Sequence, residues 1–470
     1  MAEEKRGQLS LPALIAVVVG SMVGAGIFNL PGRFAMATGP LGALVSWAIA
    51  GAGMYALARV FQFLAQKRPD IDSGVFAYAK AGFGNYLGFL SAFGYWLGSC
   101  LGNVFYWVLI CTTLGRFFPG IFGGGSSLGA IAVALLGIWS FHLLILRGVE
   151  QATFINTVVT IAKLVPLLVA IVAMVVAFNA DLFLANFHGG AGMAGKPLWA
   201  QVRDTMLITV FVFLGIEGAS VYSRYAKKRA DVGSATLLGF VGVTGLMVAI
   251  TLLPYGIASP QQIAAAAKPS LAGLLEQAVG PWGALMVSVA VLVAVLGAYL
   301  AWTLMGAEVL HAAARSRDMP RLFAAQNRNG VPANALWATN AIVSLFVIST
   351  HWSTDAFNFM LDMASVTALF PYLMVAGYAV LLARASGAAR KDRAIAWVAL
   401  AYTVFMFVAA GLQYVLLTAL LYVPGSLLYV WARREHGAVV FEPFERLILL
   451  LAGAAAAAGL YGLLGGQIAL

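Results

Sequence analysis

Long apolar runs free of charge, each closed off by a few charged residues, repeat from one end of the chain to the other. A bilayer span takes about 20 apolar residues, and the runs have that length. They predict segment 1 between Arg6 and Arg33, segment 2 between Arg33 and Arg59, segment 3 between Lys80 and Arg116, and segment 4 between Arg116 and Arg147. Segment 5 runs from Thr153 to Phe178 with Lys163 inside it, and segment 6 from Thr205 to Tyr222 with Glu217 inside it. Segment 7 follows Asp231, segment 8 follows Glu276, segment 9 lies between Arg328 and His351, and segment 10 runs from Phe357 to Leu382. The stretch from Arg393 to Arg433 is too long for one span and is expected to fold as segments 11 and 12, turning near Gly411. A thirteenth candidate runs from Phe444 to Gly465; if it does not span, it lies on the membrane surface or re-enters. The pattern is that of an all-α polytopic membrane protein with 12–13 transmembrane helices. The opening MAEEKRGQ leads into an apolar run with no small-residue cleavage site, so segment 1 is expected to be retained as a helix.

Composition sharpens this. Of the 470 residues, 62% are hydrophobic and 10% charged, against roughly 45–50% and about 25% in soluble domains. A soluble enzyme, a disordered chain and a nucleic-acid binder are excluded. The net charge of +10 forms no patch; it sorts by side. With the N-terminus in the cytoplasm, 22 of the 28 Lys and Arg face inward, Arg33, Arg116, Lys196, Arg203 and Lys268 face outward, and Lys163 lies within the membrane. Cytoplasmic loops carry the excess of positive charge in membrane proteins, so the N-terminus is expected inside, with anionic lipid in contact with the basic loops. The two cysteines, Cys100 and Cys111, share one apolar run, and the five histidines are scattered without a zinc motif. No cofactor or metal is expected.

Two segments contain poor helix chemistry. Segment 1 carries Gly20-Ser21-Met22-Val23-Gly24-Ala25-Gly26, and segment 6 carries Gly215-Ile216-Glu217-Gly218-Ala219-Ser220. Each interior glycine costs about 1 kcal/mol relative to alanine. Glycine breaks at matching places in two halves of a transporter point to its binding site. Unwound backbone in a membrane has to face a cavity or a ligand, because lipid satisfies no N–H or C=O. A zwitterion suits it, its carboxylate favoured by the positive end of a half-helix. The alternative is that the glycines only permit close helix packing, as Gly88, Gly94, Gly98 and Gly102 do. An odd number of spans separates the breaks, which predicts inverted five-helix repeats over 10–180 and 203–384. Residues 1–9 then form a cytoplasmic N-terminus, and 394–470 peripheral helices.

Charges inside the membrane need partners. A charge at the bilayer centre costs about 2.5–3.5 kcal/mol or more. Glu217 reads as a positioner of a cationic substrate, as a gate, or as a satisfied link between helices. Lys163 reads as a proton carrier, as an ammonium in place of a bound sodium ion, or as a fixed positive pin. Asp362 and Glu308 read as interfacial or gate residues. Among the aromatics, Phe211 one turn before the second break, Trp302 in the middle of segment 8, and Tyr95 at the head of Tyr95-Trp96-Leu97-Gly98-Ser99-Cys100-Leu101-Gly102-Asn103 stand out by position.

These residues carry a resemblance. Gly20 to Phe28 with Leu30-Pro31, Asp72-Ser73-Gly74-Val75-Phe76-Ala77-Tyr78-Ala79, Tyr95 to Asn103, Phe213 to Ser220 and Trp302-Thr303-Leu304 make the chain similar to the amino acid–polyamine–organocation superfamily. Within it the chain resembles the basic amino acid/polyamine antiporters. The C-terminal segment, with Phe441-Glu442-Pro443-Phe444 and Tyr461-Gly462, looks most like the bacterial arginine/ornithine antiporters. The resemblance implies the leucine-transporter type of fold, with helices 1 and 6 unwound and an amino-acid site among helices 1, 3, 6, 8 and 10. It places Met22, Ala25 and Gly26 at the substrate carboxylate, and Gly215 and Ile216 at the α-amino group. Phe211, Tyr95 and Glu217 become gates and Trp302 lies against the substrate side chain. Ser99 and Asn103 contribute from helix 3, Ala364 or Ser365 from helix 10, and Lys163 matches the lysine of proton-coupled members. The chain departs from its relatives in having phenylalanine for tryptophan at 211 and alanine for serine at 25. The implied function is secondary active exchange of arginine for ornithine by alternating access in the bacterial inner membrane. A proton-coupled symporter using Lys163 is the rival. A channel lacks its repeated pore motif or charge ring, and an enzyme lacks clustered catalytic groups. Partners are then small amino acids and membrane lipid, with no nucleic acid; a homodimer is left open.

Overall fold

The computed structural model describes residues 10–71, 75–148, 152–193, 195–216, 227, 229–353 and 355–468. Its main helices are α1 (Leu11–Met22), α2 (Leu30–Ala37), α3 (Pro40–Lys67), α4 (Val75–Phe83), α5 (Asn85–Gly115), α6 (Leu128–Leu146), α7 (Ala152–Val176) and α8 (Met206–Phe213). They continue as α9 (Arg229–Leu252), α10 (Ser270–Val279), α11 (Pro281–Arg315), α12 (Ala333–Ser349), α13 (Ala356–Ala385), α14 (Arg390–Ala410), α15 (Leu412–Glu435) and α16 (Pro443–Leu464). No strand occurs among the described residues.

Ten of these helices (α3, α5, α6, α9 and α11 to α16) are long and apolar enough to cross a membrane, and α1 with α2 makes an eleventh when counted as one bent span. Segment 5 is α7, and segment 6 opens with α8. The last apolar run is thus a full helix of spanning length. Starts are set by proline, whose missing N–H is no loss in a first turn: Pro12, Pro31, Pro40 and Pro443 all sit at such positions. Segments 11 and 12 part where expected, at Gly411, which alone separates α14 from α15 with φ +84°.

Three charges do not bound their helices as the sequence suggested. Arg33 lies inside α2, Arg59 inside α3, and α9 begins at Arg229, ahead of Asp231. At 1.5 Å per residue, a 28-residue helix such as α3 runs about 42 Å. That exceeds the hydrocarbon core of about 30 Å, so its ends reach the headgroups, where long basic side chains are tolerated.

Packing divides the chain into two compact units, 1–72 with 151–298 and 73–150 with 299–470. Each draws helices from both halves of the sequence. In the first unit, α1 packs along α9. An aromatic stack runs from Phe34 over Trp47 (5.4 Å) to Phe213 (5.8 Å) and Phe240 (5.4 Å). Two ties hold α2 and its C-cap: Gly32 N donates to Ser270 Oγ at the start of α10 at 3.0 Å, and Tyr255 Oη donates to the Thr38 carbonyl at 2.8 Å.

The second unit is built on α5, buried along nearly its whole length, with α13 lying against it. Lys80 pairs with Asp318 at 2.8 Å beside α5. Burial pushes the Asp318 carboxyl above the usual range, outweighing the Lys80 ammonium. At the start of α5, Glu445 Oε1 from α16 accepts the Tyr86 N–H at 2.9 Å, while its Oε2 accepts the Glu442 N–H at 3.0 Å. The first N–H groups of a helix lack partners inside it, so one carboxylate caps two helices. Cys100 and Cys111 are both free and buried in α5.

Candidate functional site

The glycines of segment 1 break it as expected. Val23 N still donates to Val19 O at 2.9 Å, but Gly24 is extended (φ −99°, ψ −158°) and its N–H turns back to Met22 O at 2.8 Å. A buried 3-10 turn, Ala25–Asn29, follows, and α2 leaves at 48° to α1. The N–H groups of Ala25 and Gly26 stand at the start of that turn, where no acceptor exists within it. The Gly20 carbonyl, which Gly24 N would have bonded in a continuous helix, instead accepts from Lys163 Nζ. Lys163 is 2% exposed. A cation at a helix C-terminus opposes the negative end of the macrodipole.

Segment 6 breaks too. Its helix α8 ends at Phe213, Leu214 turns to ψ 134°, and Gly215 adopts φ +101°, a conformation only glycine enters freely. This lies ahead of Gly218; Glu217 and Gly218 to Ser220 fall outside the described residues, so the expected roles of Glu217 are not located. The two breaks touch. A Cβ on Gly215 would come within 2.8 Å of the Ser21 main chain, and one on Gly26 within 2.8 Å of Phe211 Cδ1 and Val212 Cγ1. Both glycines are therefore needed for close approach. Met22, Ala25, Gly26, Phe211 and Ile216 are all buried there, so the structure brings the helix 1 and helix 6 candidates into one place within the first unit.

The second unit gathers the side-chain candidates. Tyr95, Ser99 and Asn103 recur every four residues and so share one face of α5. The Tyr95 ring stacks on Trp302 at 6.2 Å and 29°, and its hydroxyl donates to Met305 Sδ at 2.9 Å. Asn103 Nδ2 donates to Thr303 Oγ1 at 3.1 Å, leaving its buried Oδ1 without a hydrogen-bond partner. The Ser99 and Ser365 hydroxyls donate to carbonyls of their own helices, Tyr95 O at 2.9 Å and Leu361 O at 2.8 Å. They retain lone pairs as acceptors. The Ala364 carbonyl lies 3.3 Å from where a Gly98 Cβ would be, so α13 closes on α5 at this level. Asp362 accepts from Tyr414 at 3.1 Å, while Glu308 is exposed. Thr303 and Met305 were missed in the sequence; their positions one and three residues past Trp302 were the available signal.

A polytopic helical protein whose first and sixth segments unwind against each other has the leucine-transporter fold. MhsT, solved in complex with L-phenylalanine, shares that fold with a TM-score of 0.60 at 17% identity, covering 86% of this chain and all of that one. The amino acid permease family matches residues 9–432, and the chain belongs to it. The arginine/ornithine antiporter of Pseudomonas aeruginosa is 44% identical over 100% of both chains. The L-lysine transport protein of Corynebacterium glutamicum is 39% identical, covering 98% of this chain and 96% of the relative. The protein is a multi-pass membrane transporter of amino acids.

Proposed function

We propose that this permease exchanges a basic amino acid, arginine by preference, for a related cation such as ornithine. It does so by alternating access in the bacterial inner membrane, its N-terminus in the cytoplasm and its cargo chemically unchanged. The observation that carries the reading is the contact between the two breaks, Gly26 on Phe211 and Gly215 on Ser21. The N–H groups of Ala25 and Gly26, which have no acceptor within their own turn, suit the substrate carboxylate, and the backbone of Gly215 and Ile216 suits the α-amino group. Phe211 serves as lid. The Tyr95–Trp302 stack suits a guanidinium, with cation–π attraction of about 0.5–2 kcal/mol. Asn103 Oδ1, with its unused lone pairs, suits the N–H groups of the same side chain. The 44% identical relative bears the name of an arginine/ornithine antiporter, which supports the choice of cargo. Exchange of one monocation for another moves no net charge.

A second reading, proton-coupled symport, is favoured by one contact, Lys163 on the Gly20 carbonyl, since loss of a proton there would turn a charge-assisted hydrogen bond between α7 and the first break into a weaker neutral one. Counterflow in proteoliposomes separates the two. Vesicles loaded with ornithine should take up labelled arginine at least tenfold faster than empty ones, with lysine competing. Equal uptake by empty vesicles, rising as the outside is acidified, would replace exchange with symport.

A further inference from the structure

The ladder between α5 and α11 continues past the candidate site. Trp107, four residues beyond Asn103, meets the Tyr299 ring edge-on at 5.3 Å, and Phe141 of α6 closes the other side at 5.4 Å. Tyr299 is fully buried. It shares a face of α11 with Trp302 and Thr303, three and four residues on. Its hydroxyl donates to Asn340 Oδ1 of α12 at 3.3 Å, and Asn340 Nδ2 reaches His142 Nδ1 of α6 at 3.0 Å. The direction of this chain follows from the orientation of the Asn340 amide. Tyr299 donates, so the Asn340 oxygen faces it and the amide N–H donates to His142, whose proton then sits on Nε2. His142 is fully buried, and its Nε2 has no hydrogen-bond partner. The ring instead meets Trp337 at 4.3 Å and Trp139 at 5.1 Å, inclined at 63° and 61°.

Two helices, α12 and through it α6, are thus tied to α11 at one point by polar groups. Apolar side chains hold a helix against slippage only weakly in lipid, whereas directional hydrogen bonds select one rotation. A turn of about 20° would carry a ring about 6 Å from the helix axis by about 2 Å. We propose that the His142–Asn340–Tyr299 chain is a clamp that positions Trp302 and Thr303, and thereby sets the affinity for the substrate side chain. None of the three touches the substrate; they are positioning residues. The proposal rests on the reading above that Trp302 and Asn103 meet that side chain.

Labelled-arginine exchange in ornithine-loaded proteoliposomes tests it through KM and maximal rate. Tyr299→Phe removes one hydroxyl and keeps the packing. It should raise KM about tenfold, the worth of one buried hydrogen bond, with the maximal rate within about twofold. His142→Leu should do the same, and His142→Gln, whose amide oxygen still accepts from Asn340, should return KM to within about threefold of the native value. If Tyr299→Phe lowers only the melting temperature or the maximal rate, the residues are structural and the clamp is refuted. If Trp302→Leu raises KM while Tyr299→Phe and His142→Leu leave it unchanged, the clamp fails and the substrate site stands. If Trp302→Leu also leaves KM unchanged, the site reading fails and the clamp falls with it.

Discussion

Trp302 and Gly215 show how single residues divide the labour. Trp302 is 8% exposed with one face already stacked on Tyr95. Trp302→Leu should therefore raise KM for arginine about 2- to 30-fold, the loss of about 0.5–2 kcal/mol of cation–π attraction, while insertion is normal; a KM within twofold of native in the exchange assay would show that the ring does not meet the substrate. Gly215 is held at φ +101° against the Ser21 main chain. Gly215→Ala should cost about 1–3 kcal/mol, read as a lower melting temperature and lost exchange. Trp302, Ser99 and Asn103 were legible because motifs mark them. Tyr299, Asn340 and His142 were not, since His142 and Asn340 lie 198 residues apart and nothing in either local sequence names the other.

At the scale of elements, the first break was legible to the residue because Gly20, Gly24 and Gly26 crowd seven positions. The second was legible as a break over Gly215 to Ser220, and among the described residues it opens at Gly215, where the chain takes a positive φ and passes flush against α1. Lys163 announced itself as a buried charge, yet its partner is a carbonyl, Gly20 O, and carbonyls freed by a broken helix carry no sequence signature. Lys163→Leu leaves that half-buried carbonyl without this donor, an expected loss of about 1 kcal/mol. Melting temperature and exchange rate should both fall, and the rate measured across pH decides the coupling question. A variant that keeps its rate and merely loses pH dependence would make Lys163 the proton carrier.

At the scale of the molecule, hydropathy and the sorting of Lys and Arg defined the spans, but not the division into two units, since each unit interleaves distant stretches. The expected topology of thirteen spans with the N-terminus inside would put the α15–α16 turn in the cytoplasm and the residues after α16 outside. Cys100 and Cys111 are 0% and 1% exposed, so added cysteines should report alone. Gly437→Cys should react with an impermeant maleimide only from the cytoplasmic side, and Gln467→Cys only from the outer side; the reverse labelling would invert the topology. The shared cap of Glu445 has a consequence in time. The N–H of Tyr86 emerges from the ribosome 359 residues before the carboxylate that accepts it, so throughout synthesis the central helix of its unit waits with an unfinished start. A chain that stops short of α16 still lacks the acceptor that seals the start of α5.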